Sequence, residues 1–103
     1  MGYCVVITTC GNREEAEKLA GLIVEDQLAA CVQLSSITSY YTWDGQVNKD
    51  PEIRILIKTR TQLYDELEKF IKENHSYDVP EIIELPIQSG SKEYLSWIDE
   101  VTK

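Results

Sequence analysis

The chain has little cysteine, and what it has does not suggest a framework. Cys4, Cys10 and Cys31 are odd in number and show no CxxC spacing. That excludes a zinc knuckle and argues against a disulfide scaffold. The plain reading is small buried residues in a reducing compartment. Basic charge is also scarce: 10 Lys and Arg stand against 18 Asp and Glu, a net charge of −8. Nucleic acid and anionic membranes both need a basic face, so neither is expected as a partner. Cations are not excluded. No apolar run approaches the length of a membrane span. The opening stretch MGYCVVITTC has no basic n-region and no cleavage pattern. Val6 sits where a myristoylation signal prefers serine or threonine. A cytoplasmic location is the expectation unless a leader has been removed. GxGxxG and GxxxxGK are both missing, so the Thr8–Asn12 junction is at most a weak anion site at a helix start. There is no internal repeat of solenoid length, no low-complexity segment and no linker. One domain over residues 1–103 is expected.

What is present is organised around Cys31–Arg60, CVQLSSITSYYTWDGQVNKDPEIRILIKTR. Asp44-Gly45 is a two-residue hairpin signal, because both turn positions need positive φ and this pair tolerates it. Folding about that turn sets Trp43 opposite Gln46, Leu34 opposite Ile55 and Val32 opposite Ile57. Apolar residues then meet on one face, which supports the register. The first arm would extend roughly 43 Å at about 3.3 Å per residue. So the hairpin should overhang any sheet this chain can build, with Tyr40, Tyr41 and Trp43 near its far end. An open aromatic tip needs a cover, and a second copy of the chain is the natural one. Pro51 cannot donate to a ladder, so a break or bulge is expected near Lys49–Pro51.

The flanking elements follow from period and punctuation. Tyr3 to Thr9 reads as a central strand, apolar on both faces. Asn12 caps a helix with Glu15 three residues on, and the helix runs to about Leu28. Ala16, Leu19, Ala20, Ile23 and Val24 form its apolar stripe, and Glu14 and Lys18 support its solvent side. In the second hairpin arm Ile53, Ile55 and Ile57 face the helices, and Arg54, Leu56 and Lys58 make a mixed face suited to a subunit contact. Thr61 caps a second helix to about Asn74, with Leu63, Leu67, Phe70 and Ile71 inward. Val79-Pro80 forces extended backbone, and a strand follows from near Glu81 to Ile87. Ser91 caps a last short helix, with Tyr94, Leu95 and Ile98 inward. Strand, helix, hairpin, helix, strand and a terminal helix is α+β: the ferredoxin-like split βαβ sandwich, its helices on one sheet face.

These segments also carry a family resemblance. LAACVQL at 28–34, Ser39-x-Tyr41-x-Trp43-x-Gly45, Ile57-Lys58-Thr59, His75-x-Tyr77-x-x-Pro80-Glu81-Ile82, Leu85-Pro86-Ile87 and Tyr94-Leu95-x-Trp97-Ile98 occur in order. Together they are similar to the CutA divalent-cation tolerance family. The resemblance implies a homotrimer akin to the PII signalling proteins, a link to copper and other divalent cations, and no enzymatic activity. Two positions depart from the family's usual pattern, Gln33 for asparagine and Ser76 for proline. The family's proposed copper positions fall here on Thr8, Asn74 and His75, of which only His75 has a ligand side chain.

Several residues then have two readings each. His75 is the lone histidine. It serves either as a metal ligand, with Asp78 or Glu81 beside it, or as the polar end of the second helix. Cys10 could add a thiolate or simply be buried. Lys58 and Glu81 either sit on an exposed sheet face or line a cleft. Tyr41 and Trp43 either pack at an interface or stack on a ligand. The expected site is a polar cleft between subunits lined by Tyr41, Trp43, Lys58 and Glu81. No cofactor is required; weak binding of divalent copper at His75 is expected. The leading function is a trimeric binding or signalling protein in cation tolerance. The alternative is a small acylphosphatase-type hydrolase, for which Arg13 is the one candidate arginine but the first loop is not glycine-rich. An RNA-binding ferredoxin-like domain fails on charge.

Overall fold

The computed structural model describes residues 2–103. The elements are β1 (Tyr3–Cys10), α1 (Arg13–Glu25), β2 (Cys31–Trp43), β3 (Gln46–Arg60), a 3-10 turn (Thr61–Leu63), α2 (Tyr64–Glu73), β4 (Ile82–Ile87) and α3 (Lys92–Val101). The sheet order is β2-β3-β1-β4, and every pairing is antiparallel. This is the expected ferredoxin-like α+β arrangement, with β1 in the interior of the sheet.

The hairpin register is the one the apolar pattern requires. Trp43 pairs with Gln46, Leu34 with Ile55 and Val32 with Ile57. Asp44 and Gly45 hold φ of 57° and 76°, as a primed turn demands. No bulge forms at Pro51, which pairs with Thr38 in unbroken register. The reason is parity: counting from the turn, this is a non-hydrogen-bonded pair, so the missing amide would have pointed away from β2. On that other side β1 has already ended, with Cys10 opposite Ile53. No ladder bond is lost.

The core lies on one sheet face. Cys4, Val6 and Cys10 of β1 and Ile53, Ile55 and Ile57 of β3 meet Ala16, Leu19 and Ile23 of α1 and Leu67 and Ile71 of α2. Each fully buried leucine or isoleucine contributes about 1.5–3 kcal/mol. Asn12 caps α1 as expected, its Oδ1 accepting the Glu15 amide at 2.8 Å. The helix ends at Glu25, short of Leu28, because a Schellman turn closes it. The Leu28 amide donates to the Ile23 carbonyl and the Gln27 amide to that of Val24, with Gln27 at φ 58°. Val24, expected in the apolar stripe, is 43% exposed. Thr61 does not cap α2; its amide donates to the Gly2 carbonyl and a 3-10 turn leads into the helix. Ser91 caps α3, accepting from the Tyr94 amide at 3.2 Å.

The expectation of all helices on one face fails at α3. Lys58 alternates with the buried Ile57 and Thr59, so it belongs to the opposite face, and its Nζ lies 5.7 Å from the centroid of the Tyr94 ring. Tyr3, on the same side, donates to Asp99 at 2.6 Å, and Arg60 Nε donates to Thr102 at 2.9 Å. Ile98 is fully buried there, apart from the main core. Of the three residues expected to pack inward from α3, only Ile98 is fully buried; Leu95 is half-buried and Tyr94 exposed.

Candidate functional site

The site is set by where the long hairpin outruns the rest of the sheet. On the face opposite α1 and α2, strand parity aligns Ser39, Tyr41 and Trp43 of β2 with Asp50 and Glu52 of β3. Segment 77–81 approaches from α2 toward β4 and stands against them. Together they enclose a cleft of about 490 Å³, lined by Thr9, Ser39, Tyr40, Tyr41, Trp43, Glu52, Tyr77, Asp78, Val79 and Glu81. Of the expected cleft residues, Tyr41, Trp43 and Glu81 come together. Lys58 does not line it in this chain. Lys58 pairs with Val5, four positions along β1 from Thr9, which is about 13 Å at strand rise, and it lies over Tyr94 instead.

Hydrogen bonds order the walls. The Tyr77 hydroxyl donates to Glu52 Oε2 at 2.9 Å, and the Tyr41 hydroxyl donates to Asp50. Burial, and then the bond to Glu52, pushes the Tyr77 phenol up to about 12. The bond to Asp50 raises the Tyr41 phenol. Both phenols therefore remain neutral donors at ordinary pH.

His75 is the pin that holds segment 77–81 in place. Its Nδ1 accepts the Tyr77 amide at 3.0 Å, so the ring proton sits on Nε2, which donates to the Thr9 carbonyl at 2.6 Å. The ring also lies against Tyr77, with centroids 4.9 Å apart. The next amide, of Ser76, donates to Glu15 Oε2 at 2.9 Å. The end of α2 is thus tied to β1 and to α1.

The same geometry bears on copper. His75 has no open ring nitrogen. Cys10 Sγ is 3.8 Å from Nε2, but its thiol is buried and pushed up to about 12 by that burial, far from a thiolate. Thr8 and Asn74 are not metal-ligand side chains. Among the described residues no three or more His, Cys, Asp or Glu side chains converge as a metal site would need. The residues present do not fit a resident copper ion. Arg13, the hydrolase candidate, is engaged with Ser36 at 3.3 Å and Glu17 at 3.7 Å.

A family model described as CutA1 divalent ion tolerance protein matches residues 4–101. The chain belongs to the CutA1 family. CutA of Thermus thermophilus is 43% identical over 99 residues, covering 95% of this chain and 96% of that protein. The chloroplastic CutA 1 of Oryza sativa is 46% identical over 100 residues, covering 96% of this chain. The chain spans about half the length of that and other curated CutA relatives, 56% and 55% for two plant proteins. Among solved structures, CutA of Archaeoglobus fulgidus, described as a periplasmic divalent cation tolerance protein, superposes with a TM-score of 0.96 at 37% identity, covering 98% of this chain and 99% of that one. CutA1 is a divalent-cation tolerance family, not a known enzyme family.

Glu52, Asp50, Thr9 and Tyr77 escaped the sequence reading of the site. Parity from the Asp44-Gly45 turn would have placed Asp50 and Glu52 on the same sheet face as Tyr41. Nothing local to Tyr77 predicts its reach to Glu52, because that contact depends on the path of the loop after α2.

Proposed function

We propose that this chain is a non-enzymatic binding and signalling component of divalent-cation tolerance, acting as a PII-like homotrimer with the aromatic cleft as its ligand site. One observation carries the reading. The stretch Gln46–Glu52 of β3 runs beyond the last β1 partner, Ile53, an overhang of roughly 23 Å. Its end exposes Trp43 at 62% and Val47 at 79%. The sheet face beside α3 also leaves Ile83 and Leu85 about half exposed. Closed cyclic packing, each hairpin lying across its neighbour, covers the tip, the strand edges and this face at once. A neighbouring copy also closes the open side of the cleft. The link to divalent cations runs through response and not through an ion held tightly within one chain, since no three donors converge among its described residues; the acidic surface still gathers cations diffusely. The three cysteines are unpaired, which suits a reducing compartment such as the cytoplasm. Light scattering after gel filtration at micromolar concentration tests the assembly: three chains are expected, and a monomer refutes the reading.

A further inference from the structure

We infer that the cleft takes an organic cation, an alkylammonium or quaternary ammonium group, in preference to a bare metal ion or an anion. This deepens the reading of the cleft as the ligand site and rests on it. Its walls combine the rings of Tyr41, Trp43 and Tyr77 with the carboxylates of Glu52, Asp78 and Glu81, and its lining contains no lysine, arginine or histidine. On the walls that this chain supplies, an anion would meet negative charge alone. A bare divalent ion needs several donors within about 2–2.6 Å of one point, and no such group of three converges among the described residues. An organic cation has a diffuse charge and an apolar shell. Ring faces stabilise it from up to about 6 Å, and carboxylates act without direct coordination.

Three further observations support that choice. Rings of this chain already receive ammonium groups, with Lys49 Nζ 5.7 Å from the Tyr40 centroid and Lys58 Nζ 5.7 Å from that of Tyr94. Glu52 is held by Tyr77, whereas Asp78 and Glu81 take part in none of the ion pairs among the described residues. Thr9 lines the floor at 4% exposure, and beyond the sheet ladder it bonds through its carbonyl to His75, leaving its hydroxyl available to a ligand. At about 490 Å³ the space is that of a small-molecule site, too large for a lone ion.

The test is calorimetric titration of the full chain in its native assembly with benzyltrimethylammonium. Its uncharged carbon isostere, benzoate and copper alone are titrated in parallel, at an ionic strength that screens the diffuse surface charge. Saturable binding of the cation is expected, and no binding of the isostere or benzoate. Trp43→Ala should weaken it about tenfold and Glu81→Gln several-fold. Glu100→Gln, which removes one exposed charge from α3, should leave it unchanged. All three side chains lie outside the core of the chain, and because Trp43 stands at the hairpin tip, light scattering must first show that Trp43→Ala keeps the native assembly. Isostere binding equal to that of the cation, or benzoate binding, lost in Trp43→Ala, would overturn the ligand class while keeping the cleft as a site. Absence of binding by all three organic probes would overturn both. An equal loss in Glu100→Gln and Glu81→Gln would reduce the effect to net charge and overturn the proposal.

Discussion

Two threonines on the buried face of the sheet differ by one bond. Thr59 Oγ1 donates to the Leu28 carbonyl at 2.7 Å, whereas the buried Thr8 Oγ1 has no partner among the described residues. An unpaired buried hydroxyl forfeits its hydration, so Thr8→Val should raise stability by about 1 kcal/mol. The urea midpoint should move up with its slope unchanged; a lower midpoint would mean that the hydroxyl is satisfied. His75 poses the opposite case, since both its ring nitrogens are used. His75→Ala should cost about 1–3 kcal/mol, because it strands the Thr9 carbonyl and the Tyr77 amide. Its copper isotherm should coincide with that of the native chain. A copper site lost in the variant would show that one ring bond opens to metal.

Among the elements, two glycines with open space around them should respond with opposite sign. A Cβ at Gly21 or at Gly45 would meet nothing within 4 Å, so backbone preference alone decides. Gly21 lies on the exposed side of α1, where glycine is a poor helix former. Gly21→Ala should stabilise by about 0.5–1 kcal/mol. Gly45 holds φ 76° in the hairpin turn. There a side chain is strained, and Gly45→Ala should destabilise by about 1–2 kcal/mol. Thermal unfolding of the two variants checks both; shifts of the same sign would mean that the turn or the helix is not as described.

For the whole molecule, the phenols set an alkaline limit. Burial, with the carboxylates of Glu68 and Glu52 respectively, pushes Tyr64 and Tyr77 from 10.0 up to about 12. Asp99 and Asp50 raise Tyr3 and Tyr41. Folded chains therefore keep protons that unfolded chains release. The stabilisation is complete below pH 10 and declines as pH rises through the folded values near 12. Unfolding midpoints measured across that window should fall while phenolate absorbance lags that of the unfolded chain. A flat stability profile would contradict the phenol–carboxylate pairs.

The local elements were legible because their causes are local. Asp44-Gly45 specifies the turn, apolar alternation then specifies the register, and Asn12 with Glu15 specifies the start of α1. Charge alone argued against nucleic-acid partners. The resemblance in ordered segments pointed to the family that the comparisons then established. What only the tertiary structure decided depends on which residues meet across the chain. Pro51 escapes a bulge because β1 stops at Cys10, a fact about a neighbouring strand. α3 chooses the opposite sheet face because the partners of Tyr3, Lys58 and Arg60 are remote in sequence. Tyr41, Trp43 and Glu81 converge while Lys58 does not, because a sheet separates residues of one face by their distance along the strands. His75 looked like a ligand because it is the only imidazole. Folding spends both its nitrogens on backbone groups, and that turns it from a metal donor into the pin that holds Tyr77 at the cleft.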